Sequence, residues 1–126
     1  MDQLDSPLWV FMTKRKSQNP ISELDKPEHV FMAAAELFRV MSAPMRLKII
    51  SCLCDGEQHV SYLLSKIETT QPNMSQHLNT LYKSGVLAKR RDGVQIYYRI
   101  ANEQVVSVCK AMCLHVQDQS QDWVSP

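Results

Sequence analysis

The stretch TQPNMSQHLNTLYKS, residues 70–84, decides how the rest of the chain is read. It predicts one helix of about four turns at a rise of ~1.5 Å per residue. Thr70 stands where an N-cap belongs, and Pro72 falls in the first turn, where a missing N–H costs no bond. Met74, Leu78 and Leu81 stand at i, i+4 and i+7, a single apolar stripe. Gln71, Asn73, Ser75, Gln76, His77, Asn79, Thr80 and Lys83 cover the remaining surface, with no carboxylate among them. Amides and hydroxyls both give and accept hydrogen bonds, as base edges in a DNA major groove demand. Without a carboxylate, nothing on this face repels phosphate. An ordinary solvated helix face has the same composition, and His77 suits local packing as well as a phosphate contact, so the flanks must decide.

Upstream, His59 to Ile67 predicts a short helix with Val60, Leu63, Leu64 and Ile67 inward, and Glu68-Thr69 a tight turn into the amide-rich helix. A short helix, a brief turn and a second helix with a polar outer face is helix-turn-helix organisation. Downstream, Gly85 stops the helix, Val86 to Arg90 alternates weakly as a strand, Arg91-Asp92-Gly93 predicts a turn, and Val94 to Ile100 returns as a second strand. A basic hairpin directly after a helix-turn-helix is a wing. Lys89, Arg90 and Arg91, with Gln95 on the return strand, are then candidates for phosphate or minor-groove contacts. Charged residues at a sheet edge also discourage edge-to-edge pairing, which is the alternative role for the arginines.

Working further out, Pro27 opens a first helix over 28–41 that carries Val30, Phe31, Ala34, Leu37, Phe38 and Met41, an apolar arc wider than one small domain needs. A partner surface follows, and a dimer is its simplest form. Ser42-Ala43-Pro44 starts a second helix that reaches about Cys54 with Leu47, Ile50 and Leu53 inward, ended by Asp55-Gly56. Asn102 caps a last helix through about Val116, with Val105, Cys109, Met112 and Val116 on one seam and Val106 and Cys113 beside it. The expected organisation is a flexible arm over 1–26, a domain over 27–118 and a tail over 119–126. The arm's Lys14-Arg15-Lys16 is either a DNA-touching or a solvated run, and Trp9, Phe11 and Trp123 are placed to dock on the body.

The chain has 126 residues, 44% of them hydrophobic, and a net charge of +1, which suits one small soluble domain. The charge is uneven: between Gln71 and Arg99, Lys83, Lys89, Arg90, Arg91 and Arg99 face Asp92 alone. No apolar run approaches the ~20 residues of a membrane span, and the order of apolar and basic residues at the N-terminus is the reverse of a secretory signal. A cytoplasmic, reducing setting is expected, so the four cysteines are not read as a disulfide frame. Three glycines leave little for a phosphate-cradling loop, and neither paired carboxylates nor a nucleophile with its base is in evidence, so an enzyme is not expected.

Cys109 and Cys113 stand at i, i+4 on one helix face, and Cys52 and Cys54 at i, i+2 near the end of the second helix. Thiolates select soft, thiophilic species. Three would suit trivalent arsenic or antimony, and two a persulfide or reversible disulfide. Core packing is the alternative, since free cysteine is a small buried hydrophobe.

From Leu37 to Ile100 the chain resembles the ArsR/SmtB family of winged-helix bacterial repressors. MSAPMRLKII and the run QPNMSQHLNTLYKSGVLAKRRDGVQIYYRI carry the resemblance, through the SQHL, SGVL, RRDG and IYYRI pieces in that order. It implies a winged helix-turn-helix fold, mainly α with a small β-hairpin, in the order α-α-α-α-β-β-α. It also implies a homodimer joined through the first and last helices, a palindromic double-stranded operator and release by an inducer. Family sensing sites vary in position. The arsenic and cadmium site at the third helix falls here on His59-Val60-Ser61, without thiols. The zinc site of the last helix falls on Asn102, Gln104, His115 and Asp118, of which only His115 and Asp118 are metal-ligand types. The sulfide-responsive, biofilm-associated branch pairs a cysteine on the second helix with one on the last. Its positions fall on Ser51 and about Gln117, while this chain keeps thiols on the same two helices at Cys52, Cys54, Cys109 and Cys113. A winged-helix protein that binds DNA without an inducer and one that serves only as a protein-interaction module are the alternative readings.

Overall fold

The computed structural model describes residues 26–124, and side chains over 26–120. The arm through Asp25, with Trp9, Phe11 and Lys14-Arg15-Lys16, and the side chain of Trp123 lie outside the described residues. The chain divides into two units, residues 1–35 and 36–126. The described part of the first is the opening of helix α1 (Glu28–Met41), where Val30, Phe31 and Met32 are exposed.

The second unit holds the end of α1, then α2 (Pro44–Leu53), β1 (Gln58–His59), α3 (Val60–Lys66), α4 (Gln71–Lys83), β2 (Leu87–Asp92), β3 (Gln95–Ile100) and α5 (Glu103–Val124). Its core gathers Val40 and Met41, Ile49, Ile50 and Leu53, Leu63 and Ile67, Met74, Leu78 and Leu81, Val86 and Leu87, Tyr98, and Val105, Val106 and Cys109. Each helix thus gives one stripe to a common apolar interior. Ile49 is buried, which the inward set expected for α2 did not include, while Leu47, Val60 and Leu64 are half-buried.

Helix ends follow local chemistry. Thr70 Oγ1 accepts from Asn73 N at 3.2 Å, and Asn102 Oδ1 from Val105 N at 3.1 Å, as the caps predict. His59 lies just before α3 and caps it, its Nδ1 accepting from Tyr62 N at 3.0 Å. The end of α4 is a Schellman turn: Gly85 N–H bonds Tyr82 O, Val86 N–H bonds Leu81 O, and Gly85 takes φ +85°. The Val86 carbonyl then accepts from both Ala101 N and Asn102 N, pinning the root of the hairpin to the start of α5.

The sheet differs from the expected hairpin in three ways. It has three strands in the order β1-β3-β2, because Gln58 and His59 pair antiparallel with Tyr98 and Tyr97. Arg91 and Asp92 are strand rather than turn, paired with Ile96 and Gln95, so the wing reaches further out. The two-residue loop is Gly93-Val94, with only glycine at positive φ (+66°), the φ pattern of a II′ turn. The last helix also continues past Val116 to Val124, where a frayed tail was expected. No helix among the described residues is long and apolar enough to cross a membrane.

Candidate nucleic-acid interface

Met74, Leu78 and Leu81 are fully buried, which fixes the outward side of α4. At ~100° per residue, Gln76 and Lys83 point directly away from them and Asn79 stands beside that line. All three are exposed, and with Gln71 and Ser75 they leave the outer face free of carboxylates. Two expected readers are engaged locally: Asn73 Nδ2 donates to Thr69 Oγ1 at 2.8 Å, and Thr80 Oγ1 donates to Gln76 O at 3.1 Å. Those bonds use one amide N–H of Asn73 and the hydroxyl proton of Thr80, and leave the Asn73 Oδ1 and the Thr80 oxygen as acceptors. His77 lies on the same flank and is half-buried, with Nδ1 3.0 Å from Nη1 of Arg46. Burial first, and then the Arg46 charge, hold its imidazole below the ordinary histidine value.

Lys89, Arg90 and Arg91 on β2 differ in how far they are engaged. Lys89 sits 4.4 Å over the ring of Tyr82, itself exposed on α4, so a cation–π contact joins helix and wing. Arg90 stacks 4.6 Å over Tyr97, is gripped at both nitrogens by Glu57 and lies 3.9 Å from Asp92. Glu57 is in turn held below the usual carboxylate range by Arg90. Arg91 is exposed and its side chain has no hydrogen bond or ion pair among the described residues. Gln95 is half-buried opposite Asp92, and Val94 at the tip is 92% exposed. Arg46, Glu57 and Tyr82 were not singled out from the sequence. Their partners lie far away in the chain, or across from helix to strand, and no local spacing announces such pairs.

The cysteines do not gather as one set. Cys54, Cys109 and Cys113 line a groove of about 260 Å³ between α2 and α5, with Leu47, Ile50 and Lys110. Cys52 does not line it; burial pushes its thiol up, with Lys66 opposing. Cys54 donates to the Ile50 carbonyl at 3.3 Å. Cys109 is buried with Sγ 3.1 Å from Met41 Sδ, and burial, then Cys113 and Cys54, push its thiol up. Cys113 is exposed, as are His115 and Asp118 further along α5. Among the described residues no three His, Cys, Asp or Glu side chains come together to hold a metal ion.

The family described as "Bacterial regulatory protein, arsR family" matches residues 43–89, from the start of α2 into β2. The HTH-type transcriptional repressor SmtB of Mycobacterium tuberculosis is 28% identical over 106 residues, 84% of this chain and 78% of that one. The biofilm growth-associated repressor of Xylella fastidiosa is 35% identical over 78 residues, 62% of this chain and 68% of that one. The homodimeric winged helix-turn-helix DNA-binding domain Mb0332 of Mycobacterium bovis has a similar structure, with TM-score 0.64 at 27% identity, covering 77% of this chain and 89% of that one. The outward amides of α4, the wing beside it and these likenesses agree: the chain belongs to the ArsR family and is a DNA-binding transcriptional regulator, not an enzyme.

Proposed function

We infer that this regulator is a repressor that binds a palindromic operator as a homodimer and is released by a thiophilic or thiol-reactive inducer. The observation that carries the reading is the exposed row Gln76, Asn79 and Lys83 on α4, beside a wing whose Arg91 is unengaged among the described residues. Two such rows, one per subunit, read two half-sites when held about 34 Å apart, one turn of DNA. The homodimer is supported by exposed apolar side chains: Phe38 is 60% exposed at the end of α1, and Val108, Met112 and Val116 stand exposed along α5. Phe38, Val108 and Met112 line one apolar cavity of about 370 Å³ with Met41, Leu47, Cys109 and Cys113. A second copy covering that face through the first and last helices would fix the spacing of the two reading helices.

The inducer reading rests on Cys54, Cys109 and Cys113 in one groove. An arsenite-like ion held by thiolates of both helices, or a disulfide formed when a thiolate on one helix attacks the inner sulfur of a persulfide on the other and expels hydrosulfide, would link α2 to α5 and shift α5 against its mate, and a coupling of ~1–3 kcal/mol would suffice for release. Cys52 drops out of this set, and His115 with Asp118 stays a weaker zinc pair on α5. The burial of Cys109 against Met41 favours a second reading for that residue, as a packing group of the core. The test measures binding to inverted-repeat and random duplexes at several salt concentrations, with light scattering for the oligomeric state. Wild type is compared with a four-Cys-to-Ser variant, with arsenite, zinc and a persulfide donor. A monomer without preference for the repeat ends the repressor reading, and indifference to all three reagents ends the sensor.

A further inference from the structure

We propose that Arg46 is a positioning residue for DNA binding, which ties the end of α1 to the middle of α4 and fixes His77 as a neutral Nε2–H donor to a DNA phosphate. The proposal rests on the reading of α4 as the DNA-facing helix.

Arg46 stands in the first turn of α2 and reaches two other helices. Its Nε–H donates to the carbonyl of Val40 in the last turn of α1, a group with no partner inside its own helix. Its Nη1 lies 3.0 Å from Nδ1 of His77. A guanidinium only donates, so Nδ1 must be the bare, accepting nitrogen. The single proton of the neutral ring is then on Nε2. Burial and the adjacent guanidinium both disfavour the doubly protonated ring, so the acceptor persists near neutral pH. Nε2 has no hydrogen bond among the described residues, and His77 is half-buried.

The location gives that donor its use. Gln76 and Asn79 face out of α4, where base edges would be, whereas His77 sits on the flank. Flank positions of a helix in the major groove meet the backbone wall, and donors there set register and tilt without reading sequence. Lysine could not replace Arg46, because one ammonium on a flexible stem does not present two fixed N–H groups to Val40 and His77 at once. Because Val40 belongs to α1 and His77 to α4, the guanidinium also connects the helix proposed for dimerisation to the helix proposed for reading.

Asparagine at 77 keeps an acceptor near the Nδ1 position and removes the outer donor, whereas Arg46→Gln removes the lock. Two measurements are needed: the imidazole ¹⁵N spectrum of the free protein near neutral pH, and binding to a short random-sequence duplex at low salt. The expected wild-type spectrum shows His77 as a single Nε2–H tautomer, replaced by a mixture in Arg46→Gln. Loss of one hydrogen bond to a charged oxygen should weaken duplex binding about tenfold in His77→Asn, whereas Arg46→Gln, which leaves the donor in part of the tautomer mixture, should weaken it by a smaller factor. The salt dependence in His77→Asn should stay as in wild type, since an uncharged donor displaces no counterion. A wild-type His77 that is Nδ1–H or mixed overturns the proposal, as does a His77→Asn protein that binds duplex as tightly as wild type. Should Arg46→Gln fail to fold, the wild-type spectrum and His77→Asn decide alone. A wild type that binds no duplex removes the DNA reading and the donor with it, while a single tautomer would still uphold the lock, so the two failures are told apart.

Discussion

Glu57 accepts from both Nε and Nη2 of Arg90, at 2.8 and 2.7 Å, so a carboxylate from the segment before β1 occupies the fork of a wing arginine. A bidentate carboxylate offers the guanidinium the same geometry as a phosphate. DNA must therefore compete with Glu57 for Arg90, and Glu57 itself repels the duplex. Glu57→Gln should tighten binding to random duplex several-fold at low salt and steepen the slope of log K against log salt by up to about 0.9, one added phosphate contact. Fluorescence anisotropy over a salt series checks both. Weaker binding in the variant would mean that Glu57 holds Arg90 in its binding orientation instead.

Gln76 and Arg91 should fail in different ways. Gln76 is exposed at the centre of the outward row of α4, whereas Arg91 is an exposed cation on β2. Gln76→Ala should cost about 1–3 kcal/mol on a duplex selected for binding and little on random sequence. Arg91→Ala should weaken both alike and lower the salt slope by about 1. The ratio of the two affinities, measured for each variant, separates base reading from phosphate contact.

The interface is only as rigid as the stripe beneath it. Leu78 is fully buried between Met74 and Leu81, and Leu78→Ala should cost about 2–5 kcal/mol in urea unfolding. Asn79→Ala, one residue on and exposed, should stay within about 0.5 kcal/mol while still weakening DNA binding.

What could be read in advance follows the range of the forces involved. Thr70, Pro72 and Gly85 are local signals, and the helix they bound is found at Gln71–Lys83. The periodic stripe Met74-Leu78-Leu81 is likewise local, and all three are buried. The hairpin is legible, but the expected turn begins two residues early, because Arg91 and Asp92 pair with Ile96 and Gln95 and leave Gly93-Val94 to turn. The strand at Gln58–His59 was not legible: two residues carry no periodicity, and only the tertiary pairing with Tyr97 and Tyr98 makes them a strand. The same distance in sequence hid Glu57 from Arg90 and Arg46 from His77. Met112 and Val116 were assigned to the α5 seam by period alone, yet in the single chain they are exposed beyond the reach of the core.

Acid should loosen the fold through His77. Its folded value is depressed by burial and by Arg46, so the unfolded chain binds more protons once pH drops below the ordinary value of 6.5. The contribution is complete above that value and is lost as pH falls through the folded one. The carboxylates Glu36 and Glu57, held low by Arg39 and Arg90, weaken the fold only below their ordinary value of 4.5, a separate window. The urea midpoint should therefore decline on mild acidification, and His77→Asn should flatten that decline. An unchanged slope in the variant would assign the decline to other groups.

The thiols should react in an order set by exposure. Cys113 is exposed on α5, whereas Cys109, one turn earlier, is buried against Met41 with its thiol pushed up by burial. Only the thiolate attacks a maleimide, so a raised thiol value and loss of access act in the same direction. Near neutral pH Cys113 should be modified before Cys109, with Cys52, half-buried and likewise pushed up, also slow; a Cys113 that labels slowly in the dimer and quickly on dilution would mark it as part of the face that a second copy covers. Peptide mass spectrometry after brief labelling gives the order. If arsenite bridges α2 to α5 across the shared groove, adding it first should protect Cys54 and Cys113 together while leaving Cys52 unchanged. Protection of Cys113 alone would place the ion on α5 without the second helix, and such an ion could not shift α5 by pulling on α2.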